Sequence, residues 1–234
     1  MQLSSLRKSF LTFILVASAS FSSSLLTACS TTSSENQSQE PNVAITGIDS
    51  ADKQSMNHHS GMNHSMGMSL GPADANYNLR FIDSMIPHHQ GAVEMAKEAQ
   101  KKSQRPEIKK LAADIIKGQN QEITQMKQWR TAWYPKAGDQ PMAYDAQQKK
   151  TVRMSSENMQ SMMMNMDLGV ADKEFDLRFI NAMIPHHEAA VTMAKDALQK
   201  SQRPEIKNLA QAIIKAQETE IKQMKQWRKA WYNQ

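Results

Sequence analysis

Two distant runs of the chain carry side chains that can bind a metal ion. Both read Phe-Ile-x-x-Met-Ile-Pro-His-His, at residues 81–89 and 179–187. Their sulfur and imidazole groups are Met85, His88, His89, Met183, His186 and His187. Steps of three and four residues put these groups on one helical face. Thioether and imidazole are soft to borderline ligands, so the pattern predicts Cu(I) binding, with Cu(II) as an alternative at the imidazoles.

The runs belong to a longer internal repeat at a constant offset, and about two-thirds of residues 70–134 are identical in 168–232. In each copy, apolar residues recur at helical spacing on both sides of a Ser-Gln-Arg-Pro-Glu segment, where proline suits the first turn of a new helix. The repeat therefore predicts two helical hairpins. Stacked face to face, they form an all-α, ferritin-like four-helix bundle. Pro87 and Pro185 are expected to kink or restart the first helix of each copy.

Folding each hairpin about its proline turn predicts which residues meet across it. Met126 falls within a turn of Met85, and Gln119 and Glu122 lie opposite the first histidine pair. Met95, seven residues beyond His88, completes the first candidate set. The second copy repeats the set with Met193, Gln217, Glu220 and Met224. For Met95 and Met193, an ordinary place in the core is the alternative.

Two further segments are rich in methionine. The first combines Met with His in a polar stretch that has no other apolar side chain, at Met56, His58, His59, Met62, His64, Met66 and Met68. Soft-metal capture explains this composition. The second segment keeps only the sulfur, at Met154, Met159, Met162, Met163, Met164 and Met166. We predict that it also binds Cu(I). The alternative is an amphipathic helix over residues 144–166 that packs on the bundle.

The first 28 residues have the form of a secretory signal, with Arg7 and Lys8 before an apolar run. The run ends in Leu-Thr-Ala-Cys, which resembles a bacterial lipobox and predicts a lipid anchor on Cys29. The expected organisation is a signal at 1–28, a flexible tether at 29–69, hairpins at 70–134 and 168–234, and a partly helical linker at 135–167. The expected location is the extracytoplasmic cell envelope (periplasm), at a membrane.

Several other chemistries lack their residues. The chain has one cysteine, which excludes a disulfide framework and an iron–sulfur cluster. No Glu-x-x-His motif precedes the histidine pairs as a di-iron bundle requires, and no His-Glu-x-x-His zinc motif occurs. The formal net charge of +5 is spread among acidic residues, without an arginine-rich stripe for nucleic acid. We therefore expect a binding protein that is not an enzyme.

The Met-Ile-Pro-His-His core, with the later Arg-Pro-Glu-Ile and Gln-x-x-Glu-Ile elements, resembles bacterial domain-of-unknown-function family 305 and its CopM-type copper-binding proteins. The resemblance covers about residues 75–134 and 173–232, as tandem copies. It implies a ferritin-like helical bundle and copper binding or tolerance outside the cytoplasm. It points to Met85, His88, His89, Met95 and Met126, and to their equivalents in the second copy.

These observations predict a lipid-tethered protein that sequesters or delivers copper, mainly as Cu(I). Its expected partners are copper ions, the membrane and other copper-handling envelope proteins. The rival interpretation is a helical scaffold whose methionines form an adaptable docking surface. A zinc-binding protein is a weaker third interpretation.

Overall fold

The computed structural model describes residues 69–234. The predictions for Cys29 and for the Met/His-rich segment at residues 56–68 lie outside this range. The described elements are α1 (Tyr77–Lys102), α2 (Pro106–Trp133), β1 (Met142–Asp145), β2 (Lys150–Arg153), α3 (Ser156–Met163), α4 (Phe175–Lys200) and α5 (Pro204–Tyr232). The prediction of an all-α bundle built from two hairpins is confirmed. No helix within residues 69–234 is both long and apolar enough to cross a membrane.

The two hairpin turns are built in the same way. Ser103 ends α1, and its buried hydroxyl accepts a hydrogen bond of 3.1 Å from the Arg105 backbone N–H. Pro106 then opens α2, where its missing N–H costs no helical hydrogen bond. Ser201 and Arg203 repeat the contact before α5, also at 3.1 Å. Each sharp turn brings the second helix of its copy back along the first.

The core consists of two clusters, and each draws residues from both hairpins. Phe81 and Met85, near the start of α1, share one cluster with Met193 near the end of α4. The other cluster joins the end of α1 to the start of α4 and includes Met95 and Phe179. This pairing makes α1 and α4 antiparallel. Since one hairpin alone would leave its apolar stripe in water, the two hairpins are stable only together.

Both prolines lie inside helices that continue past them. α1 includes Pro87 and α4 includes Pro185, so of the predicted kink or restart, the restart does not occur in either helix. Each proline still removes one backbone donor, which frees the carbonyl four residues earlier, at Asp83 and Asn181. The interior of a packed bundle retains the helix because many side-chain contacts on both sides offset the lost hydrogen bond.

The linker corrects the prediction of a single helix over residues 144–166. Its first part is an antiparallel hairpin of β1 and β2. Its tight turn begins at Asp145, whose carboxylate accepts two backbone hydrogen bonds of 2.9 Å, from Gln147 and Gln148. Such local bonds compete with a helix. Only Ser156–Met163 is helical, and it begins where the Ser155 hydroxyl caps the Asn158 N–H at 3.1 Å.

Candidate metal centre

Four imidazoles meet in the middle of the bundle. The ring centroids of His88 on α1 and His186 on α4 lie 3.9 Å apart, with their planes at 51°. His89 and His187 flank this pair, at centroid distances of 6.5 Å and 6.2 Å from their sequence neighbours. None of the four side chains is more than 1% exposed. The antiparallel crossing of α1 and α4 thus joins two sequence motifs into one cluster.

The second helix of each hairpin supplies a carboxylate to one histidine. His89 Nε2 lies 2.7 Å from Glu122 Oε2, and His187 Nε2 lies 2.7 Å from Glu220 Oε2. Because a carboxylate oxygen only accepts, the imidazole donates its Nε2–H in both pairs. The predicted hairpin register had placed Glu122 opposite this histidine pair. A ring held through one nitrogen in this way has a fixed orientation, as in many metal-binding histidines.

His186 receives the same support from the linker. Its Nε2 donates to the backbone carbonyl oxygen of Met163, at 2.9 Å, where α3 ends. α3 reaches this position because residue 91 of α1 is glycine, and a Cβ there would overlap the Met163 carbonyl. The equivalent residue of the second copy is Ala189. Main-chain atoms carry no residue-type signal, so the sequence does not predict this contact.

The other ring nitrogens face the interior without a partner. The Nδ1 atoms of His89, His186 and His187 are buried and have no hydrogen-bond partner within residues 69–234. The same is true of both ring nitrogens of His88. A neutral ring that donates through Nε2 carries its lone pair on Nδ1. The cluster therefore presents unpaired nitrogen donors in a dry interior, which are the ligands that a borderline or soft metal ion requires.

Burial keeps the central histidines neutral. Desolvation, followed by the charge of the neighbouring His187, lowers the pKa of His186 to about 3. Desolvation, followed by the charge of His186, also lowers the pKa of His88 well below its usual range. Because only neutral imidazole binds a metal, both rings are in the competent form at neutral pH.

The structure distributes the candidate methionines differently from the hairpin prediction. Met85 and Met126 share a cluster with Met193, while Met95 lies in the other cluster with Met183 and Met224. These six side chains are all buried. Each sulfur set thus combines two methionines of one copy with one of the other, an arrangement that register within one hairpin cannot predict.

The linker methionines do not form one group. Met154 and Met162 are buried, and Met162 packs in the same cluster as Met85. Met159, Met163 and Met164 are half-buried, whereas Met166 is 59% exposed. Core packing therefore accounts for only some of the linker methionines. Within residues 69–234, no group of three or more His, Cys, Asp or Glu side chains has a metal-holding arrangement, so any ligand set here must draw on sulfur or on fewer side chains.

Comparison with known proteins gives one family and a set of similar structures. The domain of unknown function DUF305 matches residues 78–228, a single match that spans both hairpins. CopM in its Cu(I)-bound form is 39% identical, over 66% of this chain and 97% of that one, with a TM-score of 0.51. CopM in its Cu(II)-bound form is 40% identical over the same shares, with a TM-score of 0.53.

Two further relatives are more distant or shorter. A DUF305 fragment from Deinococcus radiodurans is 28% identical over 66% of this chain and 95% of that one, with a TM-score of 0.51. The uncharacterized protein L153 of Acanthamoeba polyphaga mimivirus is 45% identical over 49 residues, which are 21% of this chain and about a third (32%) of that protein. Neither description states a bound metal.

Proposed function

The chain belongs to the DUF305 family, and we propose that it is an extracytoplasmic copper-binding protein that sequesters Cu(I) or passes it on. The observation that carries this proposal is the set of unpartnered Nδ1 atoms at the centre of the bundle. A buried polar atom without a partner costs free energy, and a bound ion would recover that cost. Hydrogen bonds through Nε2 fix the ring orientations of His89, His186 and His187. Metal-binding histidines are commonly held by such a bond through the nitrogen that does not bind the metal.

The donor set favours Cu(I) over harder ions. Imidazole nitrogens and buried thioethers are the available donors, and neutral sulfur has little affinity for Mg²⁺ or Ca²⁺. Low coordination numbers suit Cu(I), and the buried position keeps a bound ion away from water ligands. The similarity to CopM in Cu(I)-bound and Cu(II)-bound forms supports the same cargo. Using Met and His in place of thiols suits an oxidising compartment.

The remaining segments extend this proposal. The Met/His-rich segment before residue 69 would capture copper at the surface, and Cys29 would carry the lipid anchor. Met164 and Met166 leave some sulfur accessible beside the core. The rival scaffold function is weakened because Met154 and Met162 are already buried in the bundle. We expect no catalytic turnover, and we expect copper-handling proteins of the envelope as partners.

An anaerobic Cu(I) titration of the full chain against a competing chelator tests the core site. The test variant changes His88, His89, His186 and His187 to Gln, which keeps a polar side chain of similar reach. The matched control changes the three histidines of the tail, His58, His59 and His64, in the same way. The proposal predicts that the core variant loses the tightest-bound copper, while the control keeps it.

Circular dichroism of both variants separates binding from folding. If the core variant keeps its helices and also keeps its tightest copper, the proposal is wrong. If the core variant unfolds, the melting temperature of the native chain is measured with and without Cu(I). Bound Cu(I) must raise that temperature, because a ligand that binds only the folded state stabilises it. No rise would contradict a site inside the bundle.

A further inference from the structure

A groove of about 500 Å³ lies along α4, beside the end of α3 and the first described residues of the chain. The apolar side chains that line it are Leu70, Met164, Pro185, Ala189 and Met193. Among residues 69–234, only α1 and α5 pack extensively on α4. No described helix or strand therefore covers this groove.

The equivalent face of α1 does have a cover. Gly91 of α1 stands at the position of Ala189 in the repeat, and the Met163 carbonyl at the end of α3 packs directly against it. Just after α3, the Asn165 side chain donates a hydrogen bond of 2.8 Å to the Glu94 carboxylate of the same face. One copy of the duplicated face is thus covered by the linker, and the other copy forms the groove.

The chain approaches both faces through the same anchor. Lys200 of α4 donates to the Gly71 carbonyl at 3.0 Å, and its equivalent Lys102 of α1 donates to the Gly169 carbonyl at 2.7 Å. A buried leucine precedes each glycine, and an arginine binds the carbonyl of each leucine at 2.7 Å. Before the second anchor, the chain lies on α1 as α3. Before the first anchor, it enters the groove, because Ser69 already lines it.

We propose that the groove on α4 is the docking site of the Met/His-rich segment at residues 56–68 of the same chain. The repeat supports this occupant, because the segment stands in the position of residues 154–166 and keeps methionine at three of the same places. These places are Met56, Met66 and Met68. The docking does not rest on the proposed function, so metal-free protein tests it.

The exchange of Gly91 for Ala189 determines how the segment docks. A Cβ at residue 91 would overlap the Met163 carbonyl, and Ala189 has that Cβ, so a backbone carbonyl cannot take the equivalent place on α4. The segment must dock through longer side chains, and flexible thioethers suit an irregular apolar groove. Met164 lines the groove directly after the carbonyl that binds His186. Under the proposed function, copper captured by the docked segment would be held beside the core cluster.

Disulfide formation in the full, metal-free chain tests the docking. Cys29→Ser removes the native thiol, and Gly61→Cys places a thiol in the segment. Gly61 is the equivalent of Met159, which lines a pocket with Gln90 of α1. The test protein therefore adds Glu188→Cys, the position on α4 that is equivalent to Gln90, and the matched control adds Gln90→Cys. Both positions are exposed.

Equilibration with glutathione gives the effective concentration of each thiol pair. A flexible tether alone gives an effective concentration in the millimolar range. Docking holds the segment at one place, so we expect the test pair to exceed the control pair by roughly tenfold or more.

A substitution that fills the groove separates docking from the effect of the tether. Thr192→Trp places a large side chain in the groove, and Thr219→Trp makes the same change on α5. Both threonines are exposed, and each donates to the carbonyl four residues earlier, at 2.9 Å and 2.8 Å. We expect Thr192→Trp to lower the effective concentration of the test pair by roughly tenfold, and Thr219→Trp to leave it unchanged.

Three results would overturn the proposal. Equal effective concentrations in the test and control pairs would mean that the segment has no preference for α4. An unchanged value in Thr192→Trp would mean that the tether alone brings the thiols together. Disulfide-linked dimers in place of the intramolecular bond would assign the groove to a second copy of the chain.

Discussion

The two hairpins carry the same His-His motif, but the linker forms a hydrogen bond with a histidine of only the second copy. His186 of the second copy donates to the Met163 carbonyl, whereas neither ring nitrogen of His88 has a partner within residues 69–234. The contact depends on Gly91, where the second copy has Ala189. A duplicated sequence therefore does not give two equal half-sites. The unduplicated linker fixes the ring orientation of one central histidine and leaves the other to be oriented by its neighbours or by a ligand.

The hairpins also differ at one position that precedes the histidines in α1 and α4. In the first, the 1% exposed Asp83 carboxylate binds Arg130 and accepts the Met142 backbone N–H at 2.8 Å, which ties the start of β1 to the bundle. In the second, Asn181 replaces the aspartate and makes one exposed contact of 3.2 Å with Arg228. The first copy thus uses a buried ion pair to hold the linker, and the second copy has no strand to hold there.

Lowering the pH should have the largest effect on the stability of the four-histidine cluster. It should act through one histidine of each copy, His88 and His186. The pKa values of His88 and His186 are lowered in the folded state, so the unfolded chain binds more protons below about pH 6.5. Stability is therefore full above that pH and falls as pH decreases toward 3, by about 1.4 kcal/mol per pH unit for each histidine. Urea unfolding at pH 7 and pH 5 measures this.

Single variants sharpen this comparison. His88→Gln and His186→Gln should each remove about half of the added pH dependence, since each takes away one buried titrating group. If neither changes the slope between pH 7 and pH 5, the central rings are not held neutral by burial. If only one does, the two copies differ in protonation as well as in hydrogen bonding.

The sequence predicted the hairpins and the Glu122–His89 contact, because helical periodicity and a turn fixed by Pro106 determine which residues meet. It did not predict that Met193 joins Met85, since that depends on how the hairpins cross. The predicted helix over residues 144–166 was too long because methionine favours a helix, while the turn at Asp145 is set by local side-chain hydrogen bonds. The Met163–His186 contact leaves only one sign in the sequence, the exchange of Gly91 for Ala189.

Removing the buried ion pair of the first hairpin should lower the free energy of unfolding more than the equivalent change in the second hairpin. Asp83→Ala leaves Arg130 without its carboxylate partner and the Met142 N–H without its acceptor, and should cost about 3 kcal/mol of unfolding free energy. Asn181→Ala, at the equivalent position, should cost less than about 1 kcal/mol because its contact is exposed. Denaturant titration of both variants measures the difference. Equal losses would mean that the linker attachment adds nothing to stability.

Gly91, which leaves room for the end of α3, allows a test of the linker contact alone. Gly91→Ala should displace the end of α3 and cost about 1–3 kcal/mol through overpacking. Ala189→Gly, the reverse change in the other copy, should cost about 1 kcal/mol through helix propensity alone. The decisive readout is the ¹⁵N spectrum of His186, which should lose its fixed Nε2–H form only in the first variant. An unchanged His186 spectrum in Gly91→Ala would mean that the linker does not orient the His186 ring.

The carboxylates should show the smallest difference between copies. Glu122→Gln and Glu220→Gln each weaken one charge-assisted hydrogen bond to a histidine, so each should reduce copper affinity by roughly tenfold or more. Because the two bonds have the same length, we expect nearly equal effects. Chelator competition gives both values. A large effect from one variant alone would show that a single hairpin supplies the metal ligands.

The central claim is that the core histidines bind Cu(I) through Nδ1. The most direct measurement is ¹⁵N histidine NMR of the full chain during anaerobic titration with Ag(I), a diamagnetic stand-in for Cu(I). We predict that the first equivalent shifts the Nδ1 resonances of His89, His186 or His187, while their Nε2–H signals remain. The account is contradicted if the first equivalent perturbs only His58, His59 and His64 and leaves every core Nδ1 resonance in place.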